Sequence, residues 1–296
     1  MANKYDRMEV DINALFENDY SMPVKKNLGY FSRAFNRYFF AFLIKLGLYK
    51  RLVDAGIIRF WFEEFKVYWM KILGGRPLYM HDFFYLLGVY RQRFQDVETP
   101  EEASPEDFLD SWQNSKTLYM LFGAVRRYAY EPLHFRYFER WISNGDSVLE
   151  YGCGIAPVSY GCLKYGSKRN LEISIADIRQ INSHYATKRL LGKAEFLEID
   201  PYKNPLVDRK FNVVLMITVL EHPPDPLVVI KNITSSLKEK GILIFDYILG
   251  DGDGQDTIEA VEQRGEVLQY LDEHYELLSG ELLEKKSMST TICRLK

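Results

Sequence analysis

Apolar and polar positions follow two rhythms along this chain. From Ser147 onward, short apolar runs at 147–151, 171–176, 195–199, 211–217 and 241–247 are separated by longer stretches at 157–167, 179–191 and 226–239. In those stretches the apolar residues recur every three or four positions. Short runs bounded by turn residues predict buried strands, and the longer pattern predicts helices. Strand–helix alternation of this kind predicts an α/β fold, a parallel sheet with helices on both faces. After Asp246 come a Gly/Asp loop at 249–256 and a helix over 257–273. Two further runs, Tyr275 to Leu283 and Ser287 to Leu295, lie close enough to pair as a terminal antiparallel hairpin.

The first hundred residues show only the helical rhythm. Leu28, Phe31, Phe35, Tyr38, Phe42 and Leu46 stripe one face of a helix, and Trp61, Phe65, Tyr68, Trp69 and Ile72 stripe a second. Gly74-Gly75-Arg76-Pro77 stops that second helix. A third is expected from about Asp82 to Phe94. The acidic, proline-bearing residues 96–110 read as a surface linker. A helix over 111–131, broken at Pro132, and another from His134 to Ile142 lead into the first strand. The expected organisation is a helical cap over 1–110 and an α/β domain over 111–296.

Charge changes the picture locally. The whole chain carries a net charge of −3, so no global electrostatic partner is implied, and without a recognisable binding module nucleic acid is not expected. The stretch 24–95, however, holds 13 Lys/Arg against 4 Asp/Glu, and 20 aromatic residues. Three readings of it stay open: a packing face with a solvated charged face, a wall for a bulky or amphipathic substrate, or contact with a membrane surface by a basic, aromatic amphipathic helix. A homodimer that buries the aromatic cap is a further expectation. The longest apolar run, Tyr38 to Ile44, is far short of the ~20 residues that span a bilayer. Asp6, Glu9 and Asp11 stand where a signal peptide would be basic, and the three cysteines suit a reduced, cytoplasmic setting.

The candidate chemistry lies in Val148-Leu149-Glu150-Tyr151-Gly152-Cys153-Gly154-Ile155-Ala156-Pro157. It reads as a buried strand, a glycine turn and a helix start, and turns at the carboxyl end of parallel strands bind nucleotides. The dinucleotide fingerprint G-x-G-x-x-G/A is disfavoured, because its third glycine position is Pro157. No Gly-Lys-Ser/Thr follows, so a P-loop fails as well.

This stretch resembles the class I S-adenosylmethionine-dependent methyltransferases. The likeness is reinforced by Ala176-Asp177-Ile178, by Phe196-Leu197-Glu198-Ile199-Asp200-Pro201, and by the run from Phe211 to His222. It covers about residues 130–296, and its order and spacing fit the small-molecule, ubiquinone-type branch. It implies a Rossmann-like seven-stranded sheet with a terminal antiparallel hairpin, preceded by an α-helical cap. It also implies S-adenosyl-L-methionine as cofactor and a small-molecule acceptor. Carried over residue by residue, Glu150 with the turn of Tyr151, Gly152, Cys153 and Gly154 faces the methionine part. Asp177 takes the ribose hydroxyls and Ile178 packs on adenine. Asp200, followed by Pro201, meets the adenine amino group, and the backbone near Ile217 lies by the sulfonium. Cys153 reads as a small filler. His222 is the candidate general base, and no metal is expected. The absence of Asn-Pro-Pro-Tyr after the fourth strand counts against planar base or amide nitrogens as acceptors. Oxygen or amine methylation is expected. The alternatives are an inactive methyltransferase-like subunit or binding module, or a peripheral-membrane enzyme with a lipid-like acceptor.

Overall fold

A computed structural model of the chain describes residues 30–75, 77–95, 118–166, 170–200, 203–249 and 256–296. The expected linker at 96–110 and the 110/111 domain boundary lie outside these residues, as does all of the Gly/Asp loop but Leu249 and Asp256. Two compact units emerge. One contains the described residues of Met1–Arg136, Gly161–Ser167 and Gln180–Tyr185, and the other those of Tyr137–Tyr160, Lys168–Arg179 and Ala186–Lys296.

The first unit is helical: α1 Tyr30–Lys45, α2 Leu48–Asp54, α3 Phe60–Lys71, α4 Met80–Gln95, α5 Leu118–Arg127 and the start of α6 Glu131–Phe138. Gly47, left-handed at φ 66, turns α1 directly into α2, a short helix that the periodicity did not predict. The two aromatic stripes behave differently. That of α3 packs inward as a core face, with Trp61, Phe65, Tyr68 and Ile72 buried. Phe65 meets Phe83 and Phe122 edge to face, an arrangement that suits the ring quadrupoles. The stripe of α1 points the other way. Phe35, Tyr38, Phe42 and Leu46 are exposed, while Phe40 and Leu43 turn inward and Phe40 meets Tyr49, Phe60 and Tyr165. Arg126 ties α5 to α2 through Asp54 at 2.9 Å. Pro132, expected to end a helix, instead sits in the first turn of α6, where its missing N–H costs nothing.

The second unit carries the sheet: β1 Ser147–Tyr151, β2 Glu172–Asp177, β3 Glu195–Glu198, β4 Phe211–Met216, β5 Leu237–Tyr247, β6 Tyr275–Ser279 and β7 Met288–Leu295. Their order is β3-β2-β1-β4-β5-β7-β6. Strands β1 to β5 run parallel, and β7 runs antiparallel between β5 and β6. The seven-stranded fold and its closing hairpin are as the sequence implied. β1 is buried along its whole length, which is why it reads as one apolar run. The interleaved helices are α7 Pro157–Tyr165, α8 Ile181–Arg189, α9 Pro226–Ser236, α10 Ile258–Glu262 and α11 Arg264–His274. The Asp225 side chain caps α9 by accepting from the Val228 N–H at 2.9 Å, with Pro226 in the first turn.

Among the boundaries that differ from the sequence reading, two lie in the helices flanking β5. The helix expected over 226–239 stops at Ser236, and β5 begins at once, with Lys240 at φ 59 in an irregular stretch of the ladder. The helix expected over 257–273 is two helices that meet at Gln263. Arg264, at the second one's start, is 2% exposed and donates to the carbonyls of Tyr247, Leu283 and Lys286. It clamps the end of β5 to the loop that leads into β7.

Candidate active site

The parallel strands finish along one edge of the sheet. Tyr151 of β1 stands level with Ala176 of β2, Asp177 with Glu198 of β3, and Glu150 with Leu215 of β4. The strand order runs outward in opposite senses from the β1/β4 pair. That pair is therefore the switch point, where open α/β sheets take ligands.

The turn after β1 needs left-handed backbone at Gly152, Gly154 and Ala156, with φ of 63°, 52° and 52°. It is fixed by the Cys153 N–H, which donates to the Ala176 carbonyl at 3.0 Å, and by the Ala156 N–H, which donates to the Cys153 carbonyl at 2.7 Å. Its two glycines have different reasons to be glycine. A Cβ on Gly152 would lie 2.4 Å from Cγ2 of Val219, in the segment after β4. A Cβ on Gly154 would meet nothing within 4 Å. Gly152 is thus demanded by the protein's own packing, whereas Gly154 leaves bare backbone beside open space.

Asp177 faces that backbone. Its Oδ2 accepts the Gly154 N–H at 2.6 Å, although the residue is buried. A carboxylate across an open, Cβ-less turn offers the acceptor oxygens to which ribose hydroxyls donate, so the residues present fit S-adenosylmethionine. Ile178 and Ile217 are half-buried at the ends of β2 and β4. The Ile199 N–H donates to the Asp177 carbonyl at 2.8 Å, which brings the end of β3, and Asp200 next to it, towards the same edge. The Asp200 carboxylate pairs there with Lys203 at 2.7 Å. Pro201 lies outside the described residues.

Glu150 has a task that the sequence reading did not foresee. Its two oxygens accept the N–H groups of Val158 and Ser159 at 3.2 and 2.7 Å, so it anchors the start of α7. Burial pushes its carboxyl above the ordinary range, while Ser159, Val158 and the charge of Arg189 pull it back. Arg189 itself lies over the Tyr160 ring and donates to the Ile155 carbonyl at 3.1 Å. The Cys153 thiol is pushed well up by burial and by the charges of Asp177 and Glu150, which makes it a poor nucleophile.

The segment after β4 is also held under strain. Thr218 has φ 59, unusual for a β-branched residue, and its N–H donates to Oδ1 of Asp246 at 2.6 Å. Asp246, at the end of β5, carried no motif. Its position, an acid closing a buried strand like Glu150 and Asp177, was the available signal. His222 follows, with Nδ1 3.7 Å from Oδ1 of Asp256 and Nε2 3.9 Å from Oε1 of Glu221. Glu221 is buried and its carbonyl accepts the Thr257 N–H. Among the described residues no group of three or more His, Cys, Asp or Glu is placed to hold a metal ion.

Comparison with known proteins agrees with this geometry. A family model described as a methyltransferase domain matches residues 122–285, more than half of the chain. A ubiquinone biosynthesis O-methyltransferase of Coxiella burnetii is 26% identical over 160 residues, covering 52% of this chain and 64% of that protein. The chain thus spans a little under two thirds of that relative's length. A tRNA U34 carboxymethyltransferase of Nautilia profundicola is 23% identical over 112 residues, 38% of this chain and 37% of its own. A solved SAM-dependent methyltransferase from Aquifex aeolicus is 16% identical, with a TM-score of 0.43 over 66% of this chain and all of that one. With the family model matched over β1 to β6 and the glycine turn, the chain belongs to the methyltransferase-domain family.

Proposed function

We propose that this chain transfers a methyl group from S-adenosylmethionine to oxygen or nitrogen of a bulky or amphipathic small molecule. One observation carries the reading: the Asp177 carboxylate lies across the turn from Gly154, beside open space. When bound, S-adenosylmethionine supplies a methyl group already activated by its sulfonium. What remains for the chain is to bind, orient, exclude water and accept a proton. Asp177 takes the ribose hydroxyls, Ile178 covers adenine, Asp200 meets its amino group, and the backbone at Ile217 borders the reacting end. His222 accepts the acceptor's proton, and the carboxylates of Asp256 and Glu221 stabilise its imidazolium. The Coxiella relative, named as an O-methyltransferase, favours oxygen.

Calorimetry with S-adenosylmethionine tests the donor, and no heat at millimolar ligand overturns the reading. Transfer of labelled methyl to a panel of hydroxylated aromatics and amines tests the acceptor. His222→Ala then lowers kcat while the donor Kd stays unchanged. A weakened donor Kd with unaltered kcat would reassign His222 to binding.

A further inference from the structure

The outward face of α1 has no place in the proposed reaction. Phe35, Tyr38, Phe42 and Leu46 are 68%, 73%, 58% and 52% exposed, at helical spacings that put them on one stripe. The exposed Phe39 stacks on Phe35, with ring centroids 5.9 Å apart and 6° between planes. Leu48 and Ile57 continue the exposed apolar surface past Gly47. The helix is already seated on its other side, through Phe40 and Leu43, so the outward stripe is not what packs it against the described residues of the helical unit. Contiguous exposed apolar surface of this kind marks an interaction site.

Charge says what it meets. Lys45 stands one turn from Phe42 on the same stripe, Arg51 one turn from Leu48, and Arg59 just beyond Ile57, all three exposed. From Arg33 to Phe60 there is a single acid, Asp54, and it is occupied by Lys50, Arg126 and Tyr130. A second copy, seated through the same face, would set these cations against themselves. A partner with negative charge over an apolar layer satisfies both features. We infer that α1 and the residues up to Arg59 dock on an anionic phospholipid bilayer, with the aromatic stripe at the acyl boundary and the cations among the headgroups. No helix among the described residues is long and apolar enough to cross a membrane, so the contact is peripheral. The inference needs no methyl acceptor, and it stands or falls apart from the proposed reaction.

The test is flotation of the full chain with vesicles of phosphatidylcholine alone or mixed with phosphatidylglycerol. The chain floats with the anionic vesicles at least about tenfold better than with neutral ones, and added salt weakens this. The combined variant Phe35→Ser, Tyr38→Ser and Phe42→Ser loses at least about tenfold in binding while its circular dichroism and melting stay as in the parent. Should that variant misfold, Arg51→Glu with Arg59→Glu serves instead and abolishes the preference for anionic vesicles. Failure of the parent chain to float, or undiminished flotation of the folded variants, overturns the inference. So does a dimer in light scattering that these substitutions dissolve.

Discussion

Gly152 and Gly154 sit two residues apart in one turn, both left-handed, yet an alanine at each should fail in a different way. An L-residue held left-handed costs about 1–2 kcal/mol, and both substitutions carry that cost. Gly152→Ala also drives a methyl to 2.4 Å from Cγ2 and 3.0 Å from Cγ1 of Val219, which is 8% exposed and has little room to move. Overpacking of this kind adds about 1–3 kcal/mol, for a total of about 2–5. Gly154→Ala meets nothing and stays at about 1–2 kcal/mol, but its methyl enters the space beside Asp177. Urea denaturation should therefore rank Gly152→Ala well below Gly154→Ala. Calorimetry should rank them the other way, with donor affinity reduced at least about tenfold, or 1.4 kcal/mol, in Gly154→Ala. Val219→Ala in the Gly152→Ala background should recover part of the lost stability, because it removes the clashing methyls. Equal destabilisation by the two alanines, or an unchanged donor affinity in Gly154→Ala, would refute the division of labour.

Asp177→Ala should weaken S-adenosylmethionine by at least about tenfold, and an unchanged Kd would remove the ribose assignment. Glu150→Gln tests a sign: an acid whose pKa is raised by folding makes the native state the tighter proton binder, so its contribution is present in acid and fades as pH rises toward the raised value. Glutamine has no such proton, so the stability advantage of the parent over the variant should shrink from acid to neutral pH in urea titrations, and a constant or growing advantage would contradict it. Arg264→Met should cost about 2–4 kcal/mol, since three buried or half-buried carbonyls lose their donor. A loss below about 0.5 kcal/mol would mean that Arg264 clamps nothing.

What the sequence made legible follows from what its pattern encodes. β1, β2 and β4 are buried on both faces, so their apolar runs announced both strand and sheet class. The glycine turn was legible because left-handed backbone is nearly a glycine property. The separate reasons for its glycines were not, since Val219 lies 67 residues beyond Gly152. Direction was equally hidden in α1. Phe40, Leu43 and Ile44 make its other side apolar too, so periodicity gave stripes without saying which one faces out. β5 was read from Gly241 because Lys238, Glu239 and Lys240 look like a solvated helix end. Asp246 and Arg264 went unread because they are polar groups that satisfy backbone from other elements, and no local pattern reports such partners.

The placement of β7 has a consequence for how the molecule is made. β5 and β6 leave the ribosome before the strand that will separate and join them, so their edges wait without hydrogen-bond partners until residues 288–295 emerge. Through that interval β5 presents an open, apolar edge to the cell. A chain stopped short of Met288 would lose an interior strand and cut β6 off from the sheet altogether, rather than merely shortening a tail. Quality control that engages nascent chains thus has an opportunity here, between the emergence of Tyr247 and that of Met288.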